Sequence, residues 1–227
     1  MITIEEAKTR INNNTLTLKE ERLALTDSLG FVLSKDIFSA INLPSFDQSA
    51  MDGYAVCFSD QIATSFKLVA EVKTGDTKLI QLKKGECARI FTGAMIPKGT
   101  KAVVMQEKVS IKGQNITIEK HPSLGDNIRE VGEQIRKNDK ALSQGTIINA
   151  AGIGLLSALG VTDINVYQKP TISIIVTGNE LIPPSEKLEQ GKIYESNSQM
   201  LSSALKTSGY TTHFVFNNRL FIYLLNL

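Results

Sequence analysis

Apolar and polar positions change their period several times along the chain, and each change marks a different element. Behind Thr3 and Glu6, a capping-box pair, Ile4, Ala7 and Ile11 recur at helical spacing. A short amphipathic helix is therefore expected to open the chain and to end in the run of asparagines at 12–14. A second short helical stretch is expected around 19–25, followed by a turn at 28–30 and a strand over 31–38, with Pro44 in the loop beyond.

From about residue 45 to 139 the pattern becomes one of short β-prone segments, over 66–74, 86–91, 102–109 and 116–120. Turn signals at 73–76, 97–99 and 112–115 separate them, so this stretch is expected to form a small β-rich unit. Beyond it Asn149 can cap a helix over 150–159 with Ile153, Leu156 and Leu159 on its apolar face and Gly160 just past its end. A strand is expected over 161–167, and Lys169-Pro170 reads as a joint.

After Pro170 a buried-type strand over 171–177, a glycine turn, a helix over 198–207 closed by Gly209 and a strand over 211–216 make a β-loop-α-β unit. Such a unit opens a parallel α/β domain, but the further strands that would complete the sheet are not found before residue 227. The expected fold is α+β and multi-domain. A helix/strand N-terminal domain over 1–169 carries an inserted β-rich domain at 45–139, and the incomplete start of a parallel α/β domain follows over 170–227.

Composition narrows the class. An apolar share of 42% with 21% charged residues is ordinary globular usage. The 25 basic and 23 acidic residues are interspersed and leave a net charge of +2, which gives no footprint for nucleic acid. Cys57 and Cys87 are too few for a disulfide framework and lack zinc-ligand spacing, so a cytoplasmic compartment is expected. The acidic N-terminus is unlike a signal peptide, and the apolar tail over 220–227 is far shorter than the ~20 residues that span a bilayer, so no membrane attachment is expected.

Three runs carry candidate chemistry. In 44–55, small and polar residues surround Asp52, and Gly53 after it permits a sharp turn that would present the carboxylate at a loop tip, suited to Mg²⁺ or an oxyanion. An Asp-Gly turn that merely joins two elements would show the same residues. In 89–107 a strand delivers Thr92 into a glycine turn, where its hydroxyl and the Gly93 amide could donate to an oxyanion, though Thr-Gly is also common in plain turns. In 171–183 an apolar strand ends in a polar turn that holds Glu180, at the strand edge where ligands of open α/β sheets collect. A solvated loop glutamate fits that position equally well.

Taken together the runs resemble one family. The segment from Pro44 to Ala55 is similar to the Pro-x-x-x-x-Ser-Ala-Met-Asp-Gly-Tyr-Ala hallmark of the molybdopterin molybdenumtransferases, the bacterial MoeA type and the E domain of gephyrin. The Thr92 run resembles that family's Arg-Ile-x-Thr-Gly-Ala segment ending in Val-Met-Gln-Glu. Further similar pieces are Asn127-Ile128-Arg129 with Gly132-Glu133, Gly145-Thr146, Ala158-Leu159-Gly160, Thr177 to Leu181 and Ile193 to Asn197, in order up to about Tyr210.

The resemblance implies an enzyme of molybdenum cofactor biosynthesis: a cytoplasmic, Mg²⁺-dependent homodimer, served by a molybdopterin adenylyltransferase. It would take adenylylated molybdopterin and molybdate, release AMP and leave molybdenum on the dithiolene. By position, Asp52, Thr92 and Glu180 match the family's functional aspartate, threonine and glutamate. The resemblance makes Asp52 and Glu180 the expected Mg²⁺ ligands, Thr92 an oxyanion donor, and Ser49, Gly53 and Gly93 substrate-binding positions, all meeting in one cleft.

The chain departs from the family pattern in two places. Gln134 stands where an aspartate usually follows Gly-Glu, which removes an anionic ligand; Asp139 nearby is expected to cap a turn instead. After Gly209 the family's glycine-serine-rich and lysine-proline-rich loops are absent, and the apolar run over 220–227 has the composition expected of a premature stop or a shifted frame, with a tendency to associate. The competing expectation is thus a non-catalytic dimerising scaffold or an inactive remnant of the enzyme.

Overall fold

The computed structural model describes residues 2–59 and 63–216. The fold is α+β. The chain divides into a continuous unit, Ile37–Leu142, and a second unit made of the described residues before it and those from Ser143 onward. The apolar tail over 220–227 lies outside the described residues.

In the continuous unit, six strands form one sheet in the order Ala102–Met105, Gly53–Val56, Glu86–Ile90, Ser65–Val72, Asn115–Ile118, Val109–Lys112. All neighbours are antiparallel except Ser65–Val72 and Glu86–Ile90, which run parallel with a register shift between Leu68 and Ala70. Successive side chains of a strand point to opposite faces, so the apolar run at 54–57 feeds two cores at once. Tyr54 and Val56 enter one with Phe66, Cys87, Val104 and Ile116, while Ala55 and Cys57 enter the other with Val72, Leu82, Ile90 and Val103. Phe66 is buried outright, and taking such a side chain from water contributes about 1.5–3 kcal/mol.

The expected strands over 66–74, 86–91 and 116–120 are present with their ends moved by one or two residues. The strand expected over 102–109 ends at Met105. There the Gln106 amide leaves the sheet to donate to the Asp52 carbonyl, and a short 3-10 turn, Gln106–Lys108, leads into the Val109–Lys112 strand.

In the other unit, Glu20–Ala24 and Val32–Leu33 flank Asp163–Tyr167 in an antiparallel three-stranded sheet. Helix α2, Ala150–Ala158, begins as expected at Asn149, whose Oδ1 accepts from the Gly152 amide at 2.8 Å, and closes at Gly160 with φ +75°. Leu25, Leu33, Ile148, Leu156, Leu159, Ile164, Val166 and Val176 are buried apolar side chains of this unit. Thr171–Val176 then pairs in parallel with Thr211–Phe216, and helix α3, Asn197–Thr207, packs on both strands, as the β-loop-α-β expectation requires. Glu195 is buried ahead of α3, accepting from the Ser198 amide at 2.7 Å and its hydroxyl at 2.5 Å.

Two further sequence expectations are corrected. The stretch around 19–25 is not helical: Glu20–Ala24 is a strand with all five residues paired to Asp163–Tyr167, followed by the 3-10 turn Leu25–Asp27. Glu, Arg, Leu and Ala favour helix locally, but the ladder offered by a distant strand overrides that preference, and the half-buried positions, Glu21 and Leu23, alternate with exposed ones. The single strand expected over 31–38 is broken into Val32–Leu33 and Ile37–Phe38, because the chain passes from one unit to the other between them.

The opening helix α1, Ile4–Asn14, has its expected cap, with Thr3 Oγ1 accepting from the Glu6 amide at 3.1 Å. The Glu6 carboxylate pairs with Arg10 at 2.8 Å. None of its side chains is buried, and Ile4 and Ile11 are 70% and 64% exposed.

Candidate functional site

The loop holding Asp52 is laced to the turn holding Thr92. The Ser49 amide donates to the Ala94 carbonyl at 3.0 Å, and the Gly93 amide donates to the Ser49 carbonyl at 2.8 Å. On the loop's other side the Ala50 amide reaches the Asn127 carbonyl at 2.9 Å, and Asn127 itself stands at φ +56°. The turn is held further by Thr74, whose hydroxyl donates to the Thr92 carbonyl at 2.8 Å.

On this frame the two side chains meet. Thr92 donates twice to Asp52 Oδ1, from its main-chain N–H at 2.8 Å and from its hydroxyl at 2.7 Å. Hydrogen bonds to a carboxylate favour its charged form. The Thr92 amide first and then its hydroxyl hold the Asp52 carboxyl below the ordinary range, against the opposing effect of burial and with a lesser contribution from the Arg89 charge. Both residues are exposed, so an anionic oxygen and a hydroxyl are presented to solvent where two neighbouring strands, Gly53–Val56 and Glu86–Ile90, begin and end.

Arg89 lies behind them on the Glu86–Ile90 strand. Its guanidinium donates to the Gly53 carbonyl at 2.8 Å and to Gln106 Oε1 at 2.5 Å, and its Cζ is 4.7 Å from the Phe91 ring centroid and 5.2 Å from that of Tyr54.

The remaining expected positions have specific surroundings. Ser49 is fully buried and its hydroxyl donates to the Met51 carbonyl at 2.6 Å, which shapes the loop. At Gly53 the need for glycine comes from close backbone approach: a Cβ there would meet the Val104 carbonyl oxygen at 2.0 Å. Gly93 adopts φ +79°, the left-handed region that lets the chain turn straight after Thr92.

Glu180 belongs to the other unit, in the turn that follows Thr171–Val176. It is exposed, and its carbonyl accepts from the Ile193 amide at 2.8 Å where Leu181–Ile182 and Ile193–Tyr194 pair in parallel. Gln134 lines an open cleft with Glu130, Glu133, Arg136 and Asp139. Asp139 caps a turn there, accepting from the Arg136 amide at 3.0 Å.

A Mg²⁺ ion is commonly held by one or two carboxylates together with water and substrate phosphates. An exposed Asp52 whose Oδ2 takes no part in the Thr92 bonds suits that mode. Among the described residues no group of three or more acidic, histidine or cysteine side chains forms a cage by itself. No helix of the described residues is long and apolar enough to cross a membrane.

Sequence reasoning gave no role to two residues that the structure places against the site, Arg89 and Gln106. Both were inside the Thr92 run, and a basic residue three positions ahead of the threonine was the available signal.

In sequence and fold the chain is similar to proteins of one family. The family model described as the MoeA N-terminal region (domain I and II) matches residues 2–160. A molybdopterin molybdenumtransferase of Haemophilus influenzae is 35% identical over 200 residues, covering 87% of this chain and 50% of that protein. One of Staphylococcus epidermidis is 34% identical over 214 residues, covering 92% and 51%. The crystal structure of a molybdopterin biosynthesis MoeA protein of Pyrococcus horikoshii OT3 superposes with a TM-score of 0.85 at 30% identity, covering 96% of this chain and 61% of that one. The chain spans about half the length of the curated relatives it matches.

Proposed function

Because the chain belongs to the MoeA family, matched over residues 2–160, we propose that it acts in molybdenum cofactor biosynthesis as the N-terminal region of a molybdopterin molybdenumtransferase. The observation that carries this reading is the exposed Asp52 carboxylate fixed by two Thr92 hydrogen bonds within the family's longest matching segment. The substrates would be adenylylated molybdopterin, supplied by a molybdopterin adenylyltransferase, and molybdate, with AMP released. The working form would be a cytoplasmic homodimer. Its domains would be 1–169, with the β-rich insertion at 45–139, and an α/β domain from residue 170 onward.

In this reading Asp52 and Glu180 together hold Mg²⁺, which would neutralise charge on the departing nucleotide phosphate. Asp52 then also orients the attacking oxygen, and Thr92, already held beside it, can turn its hydroxyl toward an oxyanion of molybdate or phosphate. The Gly93 amide is committed to the Ser49 carbonyl, so it supports the turn while the absence of a side chain leaves room for the substrate. Glu180 must reach the same cleft, from the same subunit or its partner.

A molybdenum-insertion assay tests the proposal, run with the chain alone and with the second half of a full-length relative added in trans. Turnover in trans that is abolished by D52N and E180Q is expected, and the chain alone should not turn over. Turnover indifferent to both substitutions would refute the site. A chain that dimerises but neither binds adenylylated molybdopterin by calorimetry nor turns over in trans would be the non-catalytic scaffold.

A further inference from the structure

Arg89 touches the chain on both sides of the Asp52 and Thr92 pair. Its Nη1 donates to the carbonyl of Gly53, the residue after Asp52, at 2.8 Å. Its Cζ lies 4.7 Å from the ring centroid of Phe91, the residue before Thr92. Through Nη2 it also holds Gln106 Oε1 at 2.5 Å, and the Gln106 amide donates to the Asp52 carbonyl at 3.1 Å. On the neighbouring strand, opposite Arg89 in register, Tyr54 offers a second aromatic ring with its centroid 5.2 Å away.

These hydrogen bonds, and a longer one to the Ile90 carbonyl at 3.5 Å, all end on neutral oxygens. The guanidinium therefore acts here as a flat, multi-toothed brace. A planar group can stack its face on a ring while its edge donates in two fixed directions; an ammonium has donors but no face.

We propose that Arg89 is a positioning residue of the candidate site, tying the residues that flank Asp52 and Thr92 to one rigid group and so setting the separation of Asp52 Oδ1 from the Thr92 donors. It rests on Asp52 and Thr92 being the substrate-facing pair proposed above. Lysine cannot replace it, because the brace depends on planarity and not on charge.

The test uses the whole chain, isotope-labelled, and reads the Thr92 amide by NMR, so it measures geometry and not turnover. Its failure is thus distinguishable from failure of the functional assignment. The D52N variant defines the amide proton shift and exchange rate when the bond to the carboxylate is weakened. Both R89K and R89M are expected to move the Thr92 amide at least half-way to the D52N values and to raise its exchange about tenfold, while the Ala55 and Val103 amides in the sheet keep theirs.

A Thr92 amide unchanged in R89K or R89M would overturn the proposal. So would equal loss of protection at Ala55 and Val103, since that marks a general fold role. If R89M does not fold, F91L and Q106A, each removing one tether, must each shift the Thr92 amide part of the way; no shift in either overturns it.

Discussion

Thr92 reaches Asp52 across 40 residues of sequence and donates to the same oxygen, Oδ1, from its amide and its hydroxyl. The charged form of Asp52 is thereby favoured in the folded chain, its carboxyl held below the ordinary range chiefly by the Thr92 amide. An unfolded aspartate titrates near ~4. The resulting stabilisation is fully present above that pH and is lost as pH falls through the lower folded value. Glu195, held low chiefly by the Ser198 hydroxyl, contributes with the same sign. Urea midpoints followed from pH 7 downward should fall below pH ~4 more steeply for the wild type than for D52N.

The variant T92V removes the hydroxyl and keeps the amide and the shape of the side chain. One of the two bonds to Asp52 is then lost, and the Asp52 carboxyl should titrate higher, measured by carbon NMR of its side chain. If the proposed reaction is carried in trans, turnover should fall on the order of 10²–10³-fold, the usual effect of removing one oxyanion donor.

For G53A the expected effect is on stability. A Cβ would meet the Val104 carbonyl oxygen at 2.0 Å and its carbon at 2.8 Å, both main-chain atoms of a paired strand that cannot swing aside. A loss of at least about 1–3 kcal/mol, the usual range for overpacking, should appear in denaturant midpoints. An unchanged midpoint would show that the two strands are further apart than described.

Cys87 is fully buried in one of the two cores, and burial pushes its thiol up to about 12. Thiol reagents at pH 8 should leave it unmodified in the folded chain and modify it in urea. The neutral thiol is the form the fold favours, so this stabilisation is present below the unfolded value of about 8.5 and declines as pH rises from there toward 12. Rapid native labelling at Cys87, located by mass spectrometry, would contradict the packing.

Helix α2 contains Gly152 and Gly154 and relies on its cap, since glycine inside a helix costs roughly 1 kcal/mol against alanine. The variant N149A leaves the Gly152 amide without its acceptor. A loss of about 1 kcal/mol is expected in thermal or urea unfolding, with N149D close to wild type.

What could be read in advance depended on how far apart the interacting residues are. The caps at Thr3 and Asn149 and the glycine at 160 act over a turn or less, and they appear where the residues implied. The strand over Thr211–Phe216 also has the expected bounds. Glu20–Ala24 is a strand where its residues imply a helix because its partner, Asp163–Tyr167, lies some 140 residues on, and nothing local announces it. For the site, the two motifs supplied Asp52 and Thr92, but not the bond between them. Nor did they show that Gly53 serves a close strand approach, or that Arg89 and Gln106 stand behind the pair, since register between strands decides all three.

The insertion of Ile37–Leu142 between two separated stretches sets an order for events on the ribosome. Every partner within that unit has been synthesised once residue 142 emerges, so its sheet can close on its own account. The strand Glu20–Ala24 must wait, its backbone groups unpaired, until Tyr167 has followed. At ~5–20 residues per second that interval is roughly 7–30 s. For so long a time this early stretch of the nascent polypeptide stands without its ladder, and it is there that a chaperone would have an open strand to shield.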